Sequence, residues 1–419
     1  MYYDAFSQDA FIGHAPWNTS NPGVVYNGIG PAAIQKAGSV APAIANGVPV
    51  FTDFAPTTDV WTVSQKIRTP YVQNYNLNLQ TGITNGLAWQ IGYVGSTGKK
   101  LFRFRDINQH DPATGTFPYS AYNVINQFES SAFSNYNALQ TGLTFRSFHG
   151  LSSQLSFTWS HAIDNASDVD DYVPNASQPD NSLNPRGDKA SSNFDMRKNL
   201  QWQFTYALPL GERSFAKGWS IDGVLKVSSG QPYHLVSLDN YNGTNEYMER
   251  PDIIGDPFAG TGGPGRLLNL AAFAAPCAWN PTGTDPITGT GCIFGTQHFG
   301  NERRNMFVGP NYRNFDFSVS KDTKLRENLS MLLRVDFFNV FNHPNFSNPI
   351  LPAFFANLEY NNSVQPDLSN PACSGGAGVC RAVGQGFLPT TATPDVAIGN
   401  PFVGGGGSRD LQLSIRFTF

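Results

Sequence analysis

Few residues in this sequence have the types and spacing that chemistry needs. Asp164, Asp168, Asp170 and Asp171 form one acidic cluster. Carboxylates so spaced could hold Ca²⁺, but the stretch lacks the glycine and closing glutamate of an EF-hand loop. An acidic loop is therefore the expectation, and no metal is assigned. Gly260-Thr261-Gly262-Gly263-Pro264-Gly265 has the glycine content of a phosphate cradle. A working cradle follows a strand, opens a helix and carries Lys and Ser/Thr, and none of these is present. The histidines (His14, His110, His149, His161, His234, His298, His343) show no i, i+4 ligand pair and no adjacent nucleophile. No triad or acid–base arrangement is predicted, so the chain reads as a non-enzyme without a cofactor.

The four cysteines fall in two close pairs within Gly/Pro-rich stretches: Cys277 with Cys292, and Cys373 with Cys380. Even pairing in loops predicts two local disulfides and an oxidising compartment. The alternatives are free thiols or a zinc site, and the spacings fit no C-x-x-C pattern.

The elements that must position these residues are strands. Period-two alternation recurs in nine segments. Leu77 and Leu79 alternate with Asn76, Asn78 and Gln80, and Trp89, Ile91 and Tyr93 follow. Then come Leu139, Leu143 and Phe145; Leu155, Phe157 and Trp159; Trp202, Phe204 and Tyr206; and Trp219, Ile221 and Leu225. The series ends with Phe315, Phe317 and Val319; Leu333, Val335 and Phe337; and Leu411, Leu413, Ile415, Phe417 and Phe419. Arg146, Asp222, Lys226, Arg334, Asp336 and Arg416 occupy the polar alternate positions. They are read as lining a lumen, more as a salt-bridged wall than as a substrate path.

The connections decide the environment. Thr84-Asn85-Gly86, Phe148-His149-Gly150, Pro209 to Gly218 and Lys321 to Asn328 are short. Gly98 to Ala132, Asp164 to Lys198, Gln231 to Asn311 and Asn342 to Arg409 are long. Strict alternation suits a transmembrane barrel with short periplasmic turns and long external loops. Structureless loops of such length count against a compact soluble domain. Tyr71, Trp89, Trp159, Trp202, Trp219 and Phe419 would then form aromatic belts at the membrane surfaces. The loop aromatics Tyr241, Tyr247, Phe299 and Tyr312 could stack on sugars or peptides. Gln231 to Val236 could extend the sixth strand above the membrane.

Composition agrees. Of 419 residues only 14% are charged, against about 25% in an average soluble domain. Aromatics reach 13%, with 41 Gly and 29 Pro. The mean hydropathy of −0.28 excludes a helical membrane protein, whereas a barrel spreads its apolar residues over alternate positions. The net charge of −4 offers no basic surface, so no nucleic-acid partner is expected. The closing Leu411, Leu413, Ile415, Phe417 and Phe419 look like the β-signal read by the barrel-assembly machinery. The expected location is the outer membrane of a Gram-negative bacterium, with its lipid as a partner.

Residues 1–69 are expected to be an extracellular loop region, and 70–419 the C-terminal part of a barrel. Met1-Tyr2-Tyr3-Asp4 shows no signal-peptide features, and nine strands would leave unpaired backbone in lipid. The sequence is therefore expected to be a fragment of a larger barrel.

Thr69-Pro70-Tyr71-Val72-Gln73-Asn74-Tyr75-Asn76-Leu77-Asn78-Leu79-Gln80 and Gly92-Tyr93-Val94-Gly95-Ser96-Thr97-Gly98 carry a family likeness. So do Ser229-Gly230-Gln231-Pro232-Tyr233 and Val335-Asp336-Phe337-Phe338-Asn339-Val340-Phe341-Asn342-His343-Pro344-Asn345-Phe346. From about Pro70 to Phe419 the chain resembles TonB-dependent transporters with an Oar-like barrel. The resemblance implies an all-β, antiparallel 22-stranded barrel of the plugged kind, of which this chain supplies about nine or ten strands. It also implies import of an unidentified nutrient, driven by the TonB complex through a plug absent from these residues. The rival readings are a barrel remnant or surface adhesin that does not transport, and a soluble carbohydrate-binding β-protein.

Overall fold

An alternating segment turns one face to each environment and bonds its backbone only to neighbouring strands. The computed structural model describes residues 43–45, 48–50, 58–120, 122–148, 150–167, 179–211, 213, 215–236, 240–244, 249–263, 265–280, 291–349, 365–366, 380–390 and 408–419. Its main element is an antiparallel sheet in which nine strands lie side by side in chain order. These are β1 (Tyr71–Thr84), β2 (Leu87–Asp106), β3 (Tyr122–Phe148), β4 (Leu151–Asp164), β5 (Lys198–Ala207), β6 (Trp219–Ser228), β7 (Tyr312–Arg326), β8 (Leu329–Phe338) and β9 (Asp410–Thr418). They are the nine segments whose alternation is legible in the sequence. One set of links spans 85–86, 149–150, 208–218 and 327–328; the links at the opposite end span 107–121, 165–197, 229–311 and 339–409.

Register gives the sheet two unlike faces. Leu79 pairs with Ile91, and Tyr93 with Leu139, which pairs with Trp159. Leu155 pairs with Trp202, Trp202 with Leu225 and Leu225 with Phe315. Val319 pairs with Val335 and Val335 with Leu413. Directly paired side chains point the same way, so these columns form one apolar surface. It is open to the surroundings, with Leu77 67% and Leu413 61% exposed. Gln154, Gln203, Thr205, Asp222, Ser318 and Asp336 stand on the other face. A soluble sheet would bury its apolar face against a core, whereas a barrel wall turns it to lipid. Among the described residues β1 and β9 each have a neighbour on one side only.

Two strands are longer than the alternation predicts. β2 has 20 residues and β3 has 27, while about 9–11 suffice to cross a bilayer. The expected loop from Gly98 to Ala132 is thus mostly strand, and the true link is 107–121. The register shifts between Gly98 and Leu101 and again before Arg103, and Lys100 takes φ 55°. Bulges of this kind reverse which residues face inward, so the period-two pattern breaks although the strand continues. Beyond the bulges Phe102, Phe104 and Phe128 pack with Val63 and Ile67. Within the region expected to be loop, Thr58–Val63 forms a strand that runs parallel to the top of β3. It covers the β3 edge left bare where β4 ends.

The long links fold into an assembly of their own. Tyr233, Leu235, Leu268, Leu270, Phe273, Phe307, Ala382 and Leu388 form a buried core drawn from the 229–311 and 339–409 links. Pro232–Tyr233 pairs with Phe307–Val308 in the register of the β6–β7 ladder, so that hairpin resumes beyond the wall, as the sequence suggested. The ladder breaks between, where Gly230 packs so tightly that a Cβ would meet the Gly309 carbonyl at 1.9 Å.

Candidate functional site

Ionisable groups gather in two places. The first is the polar face of β6, β7 and β8. Period two and antiparallel register bring Asp222 opposite Ser318, and Ser318 opposite Asp336. Arg334 bonds Asp336 through Nε at 2.7 Å and Asp222 through Nη1 at 3.3 Å. Thr205 Oγ1 donates to Asp222 at 2.6 Å and Ser318 Oγ at 3.1 Å. An open concavity of about 390 Å³ lies beside this cluster, edged by Gln154, Gln203, Thr205, Asp222 and Arg334. These donors and acceptors can hold a polar solute or the backbone of another segment by exchangeable hydrogen bonds. Lys226 and Arg416 are also on wall strands but stand outside the cluster, as does Arg146.

The second place is the loop assembly, where charges are buried. Arg250 bonds Asp180 at 3.2 Å and Asp188 at 2.8 Å. Arg304 bonds Asp164 at 2.7 Å and the Ser167 hydroxyl at 2.7 Å. Arg105 grips Glu129 through two bonds, at 3.0 and 2.8 Å, and donates to the Ser182 carbonyl. Arg103 is fully buried and donates to the Asn165 carbonyl at 3.2 Å. Burial holds its pKa down to about 10, against the pull of Asp188 and Glu129. Every one of these cations reaches into the 165–197 link or its entry. A buried ion pair is costly to form and more costly to break on one side, so the network fixes that link to its neighbours.

His234 sits in the same interior. Burial, then the charge of Arg250, pushes its pKa down to about 3, although Asn305 bonds its ring at 3.0 Å. Between that value and the ordinary one near 6.5, the unfolded chain binds a proton that the folded chain excludes. Stability therefore rises with pH through this window and is lost on acidification. His234 by itself therefore makes the loop assembly less stable as the pH falls below about 6.5. Neighbouring Glu302 works in the opposite sense, because burial raises its pKa well above the usual carboxyl range. Protease resistance of the loops, followed from pH 7 to pH 5, is the measurement. His234→Gln should flatten the acid limb, and an identical limb in that variant would remove His234 as its cause.

Several sequence-selected residues serve structure instead. Asp164 is bound to Arg304, and Asp168, Asp170 and Asp171 lie outside the described residues. No group of three potential metal ligands occurs among the described residues. Tyr241 is buried in the loop core and is not free to stack on a ligand; Tyr247 lies outside the described residues. His343 and Asn339 exchange two hydrogen bonds, of 2.9 and 3.0 Å, which fix the turn leaving β8. Cys277 and Cys292 are joined by a disulfide. Cys380 is a buried free cysteine beside the Trp279 carbonyl, and Cys373 lies outside the described residues. Peptide mapping without reductant is expected to recover the Cys277–Cys292 bridge, and alkylation of either residue without reductant would remove it.

The ion network is not legible in the sequence because Arg250, Arg304, Asp180 and Asp188 lie in links without periodicity, while Arg103, Arg105 and Glu129 lie in the parts of β2 and β3 at or beyond the bulges. The one available signal is Phe102-Arg103-Phe104-Arg105-Asp106, whose alternation of aromatics with charges marks a half-buried strand continuing beyond Gly98.

Solved structures resemble the chain weakly. The outer membrane transporter YddB from Escherichia coli aligns with a TM-score of 0.40 and 10% identity, over 87% of this chain and 34% of that one. The ferric preacinetobactin receptor BauA from Acinetobacter baumannii gives 0.37 and 10%, over 83% and 29%. The iron transporter FrpB from Neisseria meningitidis gives 0.36 and 9%, over 86% and 33%. The chain spans about a third of the length of these proteins. No curated protein matches it by sequence. A family model described as outer membrane beta barrel domain matches residues 1–362. Its lipid-facing apolar columns, polar inner face and one-sided long links agree with that match, and the chain belongs to the outer membrane β-barrel domain family.

Proposed function

We propose that this chain is the C-terminal barrel portion of a TonB-dependent transporter that imports a polar nutrient. The observation that carries the reading is the charged, hydrogen-bonding inner wall around Asp222, Arg334 and Asp336, set below a folded external loop assembly. A solute captured by the loops would pass a wall able to trade hydrogen bonds with it, and a plug could rest on the same groups. Further strands beyond β1 and β9 would complete the wall, since unpaired backbone in lipid costs several kcal/mol per group. Residues 1–69 would belong to the external side, and coupling would run through the TonB complex.

The test is uptake in the native host. Spent medium from the wild type, a strain lacking this gene and a strain lacking TonB would be compared by metabolite profiling. Transport predicts the same nutrient left behind in both mutants. Unchanged media with reduced surface attachment would instead support a non-transporting adhesin.

Assembly depends on the last strand in this proposal. β9 pairs with β8 through nine registered residues, from Asp410 to Thr418, and Phe419 follows at 93% exposure. Deleting Phe419 is expected to lower the heat-modifiable, membrane-inserted form several-fold in immunoblots of outer membranes. Wild-type levels would end the β-signal assignment.

A further inference from the structure

The short-turn end of the wall carries a surface that transport does not use. Trp219 pairs with Lys321, and Lys321 with Leu333, so all three stand on the apolar face. Lys321 Nζ donates to the Phe215 carbonyl at 2.8 Å and lies 5.1 Å from the centre of the Trp219 ring. Trp219 Nε1 donates to the same carbonyl at 2.9 Å. These bonds fold the 208–218 turn back over the apolar face. The Ala216 and Lys217 amides both donate to the Arg213 carbonyl, which closes one helical turn. Leu210 and Phe215 project from it, 56% and 68% exposed. Arg213 and Lys217 on this turn and Lys321, Lys324 and Arg326 at the adjoining end of β7 outnumber Asp322 and Glu327 among the described residues.

Exposed apolar tips beside cations fit one environment, the boundary between hydrocarbon and headgroups. A lysine on the lipid face can stay there only by reaching its ammonium to the polar layer, and the Phe215 carbonyl holds it in that posture. We propose that the 208–218 and 327–328 turns form a binding site for the phosphate of an anionic phospholipid in the periplasmic leaflet. Lys321 and Arg213 engage the phosphate, Trp219 lies at the glycerol level, and Leu210 and Phe215 insert beside the acyl chains. The proposal rests on the reading that places the short turns at the periplasmic side.

The full chain would be released for native mass spectrometry from nanodiscs mixing phosphatidylglycerol, phosphatidylcholine and lipopolysaccharide. Retention of phosphatidylglycerol over phosphatidylcholine is expected. Each cation near an anionic surface contributes about 1 kcal/mol, or about fivefold. Arg213→Gln with Lys321→Gln should therefore reduce that preference by more than tenfold, while Lys321→Arg keeps it. Circular dichroism of each variant verifies the sheet. Equal retention of the two phospholipids, or a preference unchanged in the double variant, would overturn the site. Retention of lipopolysaccharide alone would overturn it in a different way, by placing these turns at the outer leaflet and reversing the orientation on which the transport reading stands.

Discussion

Replacing Arg250 with alanine is expected to open the external loop assembly and leave the wall standing. Arg250 is 9% exposed, Asp180 7% and Asp188 3%. Removing the guanidinium strands two buried carboxylates without their counter-charge, a change that costs about 3–5 kcal/mol. The Arg250 backbone N–H also donates to Asp180, at 3.1 Å, so displacement of Asp180 disturbs the main chain as well. The wall does not share this cost, because its ladder bonds run from strand to strand. Hydrogen exchange should speed up in 179–197 and 249–263, while β5 to β8 keep their protection. A partner variant separates lost charge from lost shape. Arg250→Met combined with Asp180→Asn and Asp188→Asn removes the three charges of this triad together and should recover much of the protection. Unchanged exchange in Arg250→Ala would show that the loops are held by their apolar core alone.

A charge on the outer face of β9 should act in the opposite way, damaging the wall and sparing the loops. Leu413 stands midway along β9 and ends the column it forms with Val335 and Val319. Arginine there would face hydrocarbon, at a cost of about 2–4 kcal/mol near the bilayer midplane. One residue away, Gln412 pairs with Asp336 on the inner face. Gln412→Arg should change stability little, because it places a cation opposite a carboxylate in a wet environment. Folding into phospholipid vesicles, followed by heat-modifiable migration, compares the two variants directly. Equal effects would mean that β9 does not separate lipid from lumen, and the faces assigned to the whole sheet would fall with it.

Much of the wall was legible in the sequence because its determinants are local. Side chains alternate by stereochemistry, so Leu411, Leu413, Ile415 and Phe417 define a face before any partner is known. The alternation of short and long links likewise gave the order and direction of nine strands. The bulges at Lys99 to Arg103 marked the limit of that reasoning, because a register shift is set by the strand alongside and not by the residues that bulge. The ion network lay further out of reach. Arg250, Arg304, Asp180 and Asp188 sit in links with no period, and their partners are up to 140 residues away. Nothing in their own neighbourhood separates them from solvated loop charges. Sequence alone therefore determined a two-faced antiparallel wall and its place in the outer membrane. Only the tertiary structure decided that the long links fold onto a core of their own, since burial depends on which distant segments meet.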